Sequence, residues 1–383
     1  MTTRLFERAH KALKALVTRK VPIECDRMPF EFQHVPLRKI LNWILVEASI
    51  LVKPERPWGW PTHAQVEPTS ACNLKCVLCP VTEGLERPQG HMELRTFQKI
   101  IDELGQHLFI IILWDWGEPF LNPSIYDMIS YARTRDIGVI SSTNGHVFAR
   151  GDHAEQLVHS GIDYIVFAVD GVTQATYERY RQGGDLETVT AGIKRIVEAR
   201  HALQSKTPLI DLRFLVMKHN EHEIPQLKAF ARSLEVDALT LRTLCTYDDG
   251  EYCVTEPDGR AFVPQNPNYQ PFKLDPQSQS RIRREVNPCK VLWNNPAIHY
   301  DGKVCPCTFD PHGRHVLGDL GESTFANVWW GADYRALRRQ FRNDYQQLAL
   351  CCDCTYAFEG GSMGEERDRE VYFFRTKSAR ISD

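Results

Sequence analysis

Three cysteines, Cys72, Cys76 and Cys79, stand in a C-x3-C-x2-C run directly after a short apolar segment, His63 to Thr69. Thiolates are soft ligands suited to iron–sulfur clusters, and a [4Fe–4S] cube normally takes four of them. Three in one tight loop leave one iron without a protein ligand. An open iron can bind a small molecule and pass it an electron. Structural zinc more often shows paired C-x2-C or Cys/His spacings, and a disulfide needs an oxidising compartment that nothing here signals. On the loop alone, zinc stays open as the alternative.

The run Cys72-Asn73-Leu74-Lys75-Cys76-Val77-Leu78-Cys79-Pro80 resembles the cluster loop of the radical S-adenosylmethionine (radical SAM) superfamily. That resemblance implies an open iron holding the amino and carboxylate groups of SAM. It implies reductive cleavage to a 5′-deoxyadenosyl radical that abstracts hydrogen from an unactivated carbon, and a flavodoxin- or ferredoxin-type electron donor. Trp114-Asp115-Trp116-Gly117-Glu118-Pro119 is similar to the family's Gly-Gly-Glu turn, with Trp116 in place of the first glycine. Gly117, Glu118 and Pro119 are then expected at the SAM amino group, since glycine lets backbone approach and Glu offers a carboxylate to an ammonium.

The same resemblance places Ser142 and Thr143, in Ser141-Ser142-Thr143-Asn144-Gly145, at SAM's ribose or carboxylate; a plain Asn-Gly turn is the alternative. Relatives often carry Ser where Ala168 stands, which leaves Asp170 as the candidate for ribose or substrate hydroxyls. Tyr177 to Arg181, then Gly183-Gly184, resembles a Y-x-x-x-R-x-G-G segment, so Arg181 is a candidate carboxylate clamp or a surface-helix arginine. Arg213 and Arg242, on the last two strands, are candidate contacts for an anionic substrate group or SAM's carboxylate, and Lys218, in a strand-end K-x-N that resembles the family's, is a further substrate candidate. Strand alternation equally permits the two arginines to pack against helices.

A second cysteine region runs from Cys289 through His299-Tyr300-Asp301-Gly302-Lys303-Val304-Cys305-Pro306-Cys307, Leu317-Gly318-Asp319-Leu320 and Val328-Trp329-Trp330 to Cys351-Cys352-Asp353-Cys354. It resembles the SPASM/twitch extension of radical SAM enzymes, which binds auxiliary [4Fe–4S] clusters. Matched residue by residue, Cys289, Cys307, Cys351 and Cys354 fit one four-thiolate cluster. Cys305 and Cys352 are the lesser candidates beside them. A hairpin at Asp301-Gly302 would present the cysteines that follow it together. Four-thiolate zinc is the alternative. The arginines from Arg335 to Arg342 read as a solvated helix face.

These motifs need a scaffold. The 383 residues leave room for two or three domains. A formal charge of −3 gives no overall sign of nucleic-acid binding. Twelve cysteines are too dilute for a disulfide scaffold and cluster as metal sites do. Met1 to Lys20 lacks the apolar core of a secretory signal, so a reducing, cytoplasmic location is expected. Residues 62–245 alternate strand and helix, with strands at His63–Thr69, Leu108–Asp115, Ile137–Ser142, Tyr164–Asp170, Ile210–Met217 and Ala238–Thr243. Six βα repeats argue for parallel strands with helical crossovers. The fold class is therefore α/β: a partial (β/α)6 TIM-like barrel, followed by a small SPASM/twitch domain over 289–358. Chemistry in such barrels sits at the carboxyl ends of the strands.

The remaining segments are a helical extension (1–61), a connector or lid (246–288) and a polar tail (359–383). In the extension, Leu5, Phe6, Ala9, Leu13, Leu16 and Val17 oppose Arg4, Arg8, Lys11, Lys14 and Arg19. Leu37 to Val52 is apolar around most of its circumference, with Arg38, Lys39, Asn42 and Ser49 as a polar stripe. It is too short for a membrane span, and it either packs on the main domain or touches a membrane surface. Pro54, Pro57 and Pro61 make a stiff linker.

The combined resemblance implies a radical SAM enzyme with one auxiliary cluster. The expected reaction is oxidation or epimerisation of a small polar molecule such as a sugar or aminoglycoside-like metabolite. Epimerisation needs a thiol hydrogen donor, for which Cys245 and Cys253 are candidates. The alternatives are a peptide-modifying maturase, action on a lipid-linked substrate, or a non-catalytic iron–sulfur or zinc protein. A maturase normally adds a leader-binding winged-helix domain, for which 61 residues look too short.

Overall fold

The chain opens with helix α1 (Thr2–Thr18), hairpin strands β1 (Val21–Cys25) and β2 (Met28–Phe32), and helix α2 (Leu37–Val52). Six parallel strands then follow in sequence order: β3 (His63–Val66), β4 (Ile110–Ile112), β5 (Gly138–Thr143), β6 (Tyr164–Ala168), β7 (Leu209–Val216) and β8 (Ala238–Thr243). The crossovers are α3 (Pro80–Glu83) with α4 (Leu94–Leu104), α5 (Ile125–Arg133), α6 (His153–His159), α7 (Gln174–Tyr180) with α8 (Leu186–Ala202), and α9 (Ile224–Ser233). This is the expected partial barrel. The computed structural model describes residues 2–244, 261–270, 272–278, 280–360, 371–374 and 379–381, so Cys245 and Cys253 lie outside the described residues.

Alternate strand residues serve two cores. Ile111, Leu113, Val139, Ile165, Phe167, Ile210, Leu212 and Phe214 pack under the helices. Ile110, Ile112, Ile140, Tyr164, Val166 and Leu209 point the other way, and there they meet Val21, Ile23, Met28, Phe30 and Phe32. The β1–β2 hairpin therefore fills one end of the barrel interior. Phe30 meets Tyr164 edge-on, with ring centres 4.7 Å apart, and Tyr164 donates its hydroxyl to the Pro29 carbonyl at 2.6 Å.

The expectation of a purely helical extension is thus corrected. The hairpin turn is Asp26-Arg27, both at positive φ (50° and 70°), the two-residue type I′ geometry usually made by Asn-Gly or Asp-Gly. A third strand, Ala379–Ile381, pairs in parallel with β2.

Three residues of the α2 polar stripe, Lys39, Asn42 and Ser49, face inward, and Arg38 stays exposed. Asn42 exchanges two hydrogen bonds with the Trp60 backbone, at 3.0 and 2.9 Å, and the Ser49 hydroxyl accepts from Trp58 N. Lys39 donates to the Asp136 carbonyl over the Phe109 ring. The proline-rich linker is clasped by three indoles: Trp293 donates to Pro54 O, Trp330 to Pro57 O and Trp329 to Gly59 O. Nor is the arginine-rich helix, Ala332–Asp344, wholly solvated. Arg338 is fully buried over Trp329 and Tyr334, and it donates to the Leu292 and Trp329 carbonyls.

The second cysteine region extends the same sheet. Ala297–Ile298 runs parallel to β3, and Lys303–Cys305 returns antiparallel after a turn at Gly302 (φ +87°). At the far edge, Val371–Phe373 pairs antiparallel with β8. Both edges of the barrel sheet are thereby covered.

Candidate active site

The cysteine loop leaves β3 at the carboxyl end of the barrel. It is held from across the barrel, where Lys75 N donates to Gln182 O (3.0 Å) and Val77 N to Tyr180 O (2.9 Å). Cys79 caps α3, and its carbonyl accepts from Thr82 N at 2.8 Å. Each of the three thiols has a donor or a helix start beside it. Leu74 N and the Asn144 side-chain amide reach Cys72 Sγ at 3.5 and 4.0 Å, and Arg181 Nη1 reaches Cys76 Sγ at 3.8 Å. Burial pushes the Cys72 thiol up to about 12 and raises Cys79 too, with the neighbouring thiols adding to the effect. Binding a metal at thiols raised in this way releases protons.

Among the described residues no three His, Cys, Asp or Glu side chains converge tightly enough to cage one metal ion. In a cube each thiolate binds its own iron, so its ligands need be neighbours only. The all-sulfur donor set, with N–H groups aimed at the sulfurs, fits that group.

The turn after β4 packs on this loop. A Cβ at Gly117 (φ +120°) would lie 2.3 Å from Thr69 O and 2.9 Å from Ala71 O, so only glycine fits. Glu118 N donates to Ala71 O at 2.8 Å. The Glu118 carboxylate turns inward, accepting from Thr143 Oγ1 (2.8 Å) and Asn144 N (2.7 Å), and burial pushes it up to about 7. Pro119 opens a buried 3-10 turn, Pro119–Leu121. Glu118 and Thr143 therefore meet each other, whereas Ser142, one residue earlier, shares the interior-facing side of β5 with Ile140.

Asp170 and Arg181 also form a pair, at 2.6 Å, and Asp170 further accepts from Leu215 N. Asp170 thus ties β6 to β7 while Arg181 reaches the cysteine loop. Arg213 and Arg242 do point into the barrel. There the hairpin turn meets them: Asp26 accepts from Arg213 Nη1 at 2.5 Å and from Arg242, and Asp211 holds Arg213 at 3.0 Å. Lys218 is exposed on the loop after β7, apart from this group.

The second thiol set comprises Cys289, Cys307, Cys351 and Cys354. Burial raises the Cys289, Cys307 and Cys351 thiols, and Cys307 and Cys351 are raised further by others of the four. Cys305 is turned elsewhere: its sulfur lies 3.7 Å from His299 Nδ1, and its charged neighbours are Asp310, Asp115 and Arg87. The Cys352 thiol donates to Ala349 O. Cys305 is thus set apart from the four, whereas Cys352 still neighbours Cys351.

Three contacts that the motifs did not announce join the two thiol sites. The Trp116 indole donates to Thr308 O at 2.8 Å, one residue beyond Cys307. The Thr308 hydroxyl donates to Asp115, whose Oδ1 also accepts from Gln65 at 3.2 Å. Glu67, buried, holds Arg87 through two bonds (2.8 and 2.5 Å), and Arg87 Nε donates to Pro311 O. Burial and the Glu67 charge push the Asp115 carboxyl well above its usual range. The only advance signal was Trp116 standing where the turn usually has glycine.

The radical SAM superfamily model matches residues 66–231, from the end of β3 into α9. The chain belongs to the radical SAM superfamily. An iron–sulfur cluster-binding domain (SPASM) model matches residues 289–355, the whole second thiol set. Among curated radical SAM relatives, a tungsten-containing aldehyde ferredoxin oxidoreductase cofactor-modifying protein of Pyrococcus furiosus is 27% identical over 76% of this chain and 87% of its own. Mycofactocin maturase MftC of Mycobacterium ulcerans is 27% identical over 78% and 81%. PqqA peptide cyclase of Gluconobacter oxydans is 28% identical over 70% and 76%. Streptococcus suis SuiB, solved bound to precursor peptide SuiA, shares the fold at a TM-score of 0.57 and 14% identity, over 89% of this chain and 81% of that one.

In this radical SAM enzyme the residues divide the work. Cys72, Cys76 and Cys79 would hold the cube that binds SAM, and Cys289, Cys307, Cys351 and Cys354 would hold an auxiliary cluster. Bound at the first site, the cube supplies the electron that splits SAM to methionine and a 5′-deoxyadenosyl radical. Asn144 and Arg181 aim N–H groups at Cys72 and Cys76, which stabilises negative charge on those sulfurs. Gly117 lets the turn lie against the loop, and Glu118 locks Thr143 and Asn144 in place.

Proposed function

We propose that this radical SAM enzyme is a maturase that modifies a peptide. The supporting observation is that similarity to a maturase and a peptide cyclase runs across most of the chain. The sequence-based preference for a sugar or aminoglycoside-like metabolite has less behind it than this alternative. Arg213 and Arg242, although held by Asp26, stay the candidates for the substrate, while Ser142, Gly117 and the Glu118–Thr143–Asn144 unit are the candidates for the SAM side. One auxiliary cluster, on Cys289, Cys307, Cys351 and Cys354, would take an electron from an oxidised peptide or orient it. A flavodoxin- or ferredoxin-type donor in a reducing, cytoplasmic setting completes the reading.

The test is anaerobic reconstitution with iron and sulfide, then SAM, dithionite and peptides encoded beside the protein in its genome. The expected result is 5′-deoxyadenosine together with a mass change confined to one peptide, and deuterium transfer from that peptide into 5′-deoxyadenosine. Deuterium transfer from a sugar or aminocyclitol, with every peptide unchanged, overturns the proposal.

A further inference from the structure

Large apolar side chains left in solvent gather on the first two helices. On α2, Leu37, Leu41, Leu45 and Val52 are all exposed, Leu41 by 51%. Their spacing of i, i+4, i+8 and i+15 puts them on one stripe. The opposite face buries Lys39, Asn42, Val46 and Ser49. The buried side also carries Ile40 and Trp43, so the helix grips the protein through polar and apolar side chains alike and still leaves its leucines facing out. On α1, Phe6 (76% exposed), Leu13 and Val17 form a second outward stripe, while Ala15 is buried beneath. The helices are neighbours, joined by Arg8 and Glu47 at 3.5 Å. Scattered exposed leucines need no explanation, but two adjacent stripes make a patch.

Charge decides what covers it. Residues 2–20 carry Arg4, Arg8, Lys11, Lys14, Arg19 and Lys20 against a lone acid, Glu7, and Arg38 stands beside the α2 stripe. A second copy docked about a two-fold axis would bring these basic helices against each other. An anionic lipid surface accepts the leucines and phenylalanine below the headgroups and pairs with the cations. Among the described residues no helix is long and apolar enough to cross a membrane, so the helices would lie along the interface. The half-exposed Trp58, just after α2, is a residue type that favours that depth.

We propose that α1 and α2 dock the enzyme on an anionic membrane surface, in the plane of the interface. This does not depend on the nature of the substrate. The test is flotation of the full-length holoenzyme with phosphatidylcholine vesicles and with vesicles containing 30% phosphatidylglycerol. The expected result is recovery with the anionic vesicles only, falling severalfold in high salt. Leu41→Asp/Leu45→Asp should lower recovery at least tenfold with an unchanged circular dichroism spectrum. Lys11→Glu/Lys14→Glu, at exposed positions, serves equally if the first variant misfolds. Flotation that is absent, or equal for the wild type and a folded variant, overturns the proposal. So does a wild-type dimer that the leucine variant converts to monomer without any vesicle binding.

Discussion

Asp26 offers a clean perturbation of the plugged barrel. It sits at positive φ in the hairpin turn and accepts hydrogen bonds from Arg213 and Arg242 inside the barrel. Asn tolerates that backbone region as well as Asp does, so Asp26→Asn removes the charge and leaves the turn. A hydrogen bond to a charged group contributes about 1.5–3 kcal/mol. Two are weakened here, but Arg213 keeps Asp211, and the side chains are about one-sixth exposed. Discounting for both, the expected loss is about 3 kcal/mol, near the lower end for breaking a buried pair. Urea unfolding followed by tryptophan fluorescence reads the total, and hydrogen exchange at the β1–β2 amides reads its location. The Asp26→Asn/Arg242→Met double variant should be less destabilised than the two single changes added together, because they share a partner. A loss below about 1 kcal/mol, with hairpin exchange unchanged, would refute the view that these arginines anchor the plug.

Gly117→Ala drives a methyl into Thr69 O and should cut 5′-deoxyadenosine formation by about 100-fold, measured by chromatography of the reconstituted protein, since small misplacements at a reacting centre cost that much. Replacing Cys72, Cys76 and Cys79 by Ala should remove about half of the iron and all SAM cleavage, leaving the auxiliary cluster's absorbance; retained cleavage would sink the assignment. Glu118 sits near 7 when folded against an ordinary 4.5, so the folded protein keeps a proton that the unfolded chain releases. Its contribution is full below pH 4.5 and is lost as pH rises through 7, about 1.4 kcal/mol per unit at most, so Glu118→Gln should flatten the pH–stability curve in that window. Arg338→Ala should destabilise by about 3–5 kcal/mol in urea, because it empties a buried site and strands two carbonyls.

Much of the scaffold was legible because its signals were local. The six barrel strands alternate with helices at a spacing that demands parallel pairing, and all six fall where the apolar runs stand. The cysteine groups were legible because soft ligands cluster in sequence. Other features depend on distant partners. The hairpin escaped notice because Asp26-Arg27 is not a usual turn pair, and its positive φ angles are offset by arginines from β7 and β8. The polar stripe of α2 gave no sign of its partners, which lie beyond the helix: Asn42 and Ser49 satisfy the Trp58–Trp60 backbone. Arg338 looked like one more surface arginine, and only the tertiary stack of Trp329 and Tyr334 buries it. Within the site, identity was readable and mutual contact was not: Glu118 with Thr143, and Asp170 with Arg181, stood in the sequence as separate ligands.

The plug also dictates an order of events during synthesis. Phe30 and Phe32 rest against strands that continue to β8, roughly 200 residues downstream. A ribosome adding about 5–20 residues per second needs on the order of 10–40 s to deliver that last strand. Throughout that interval the hairpin has no cavity to enter and displays its aromatic residues to the cell, so nascent-chain chaperones are expected to hold this protein by β1 and β2.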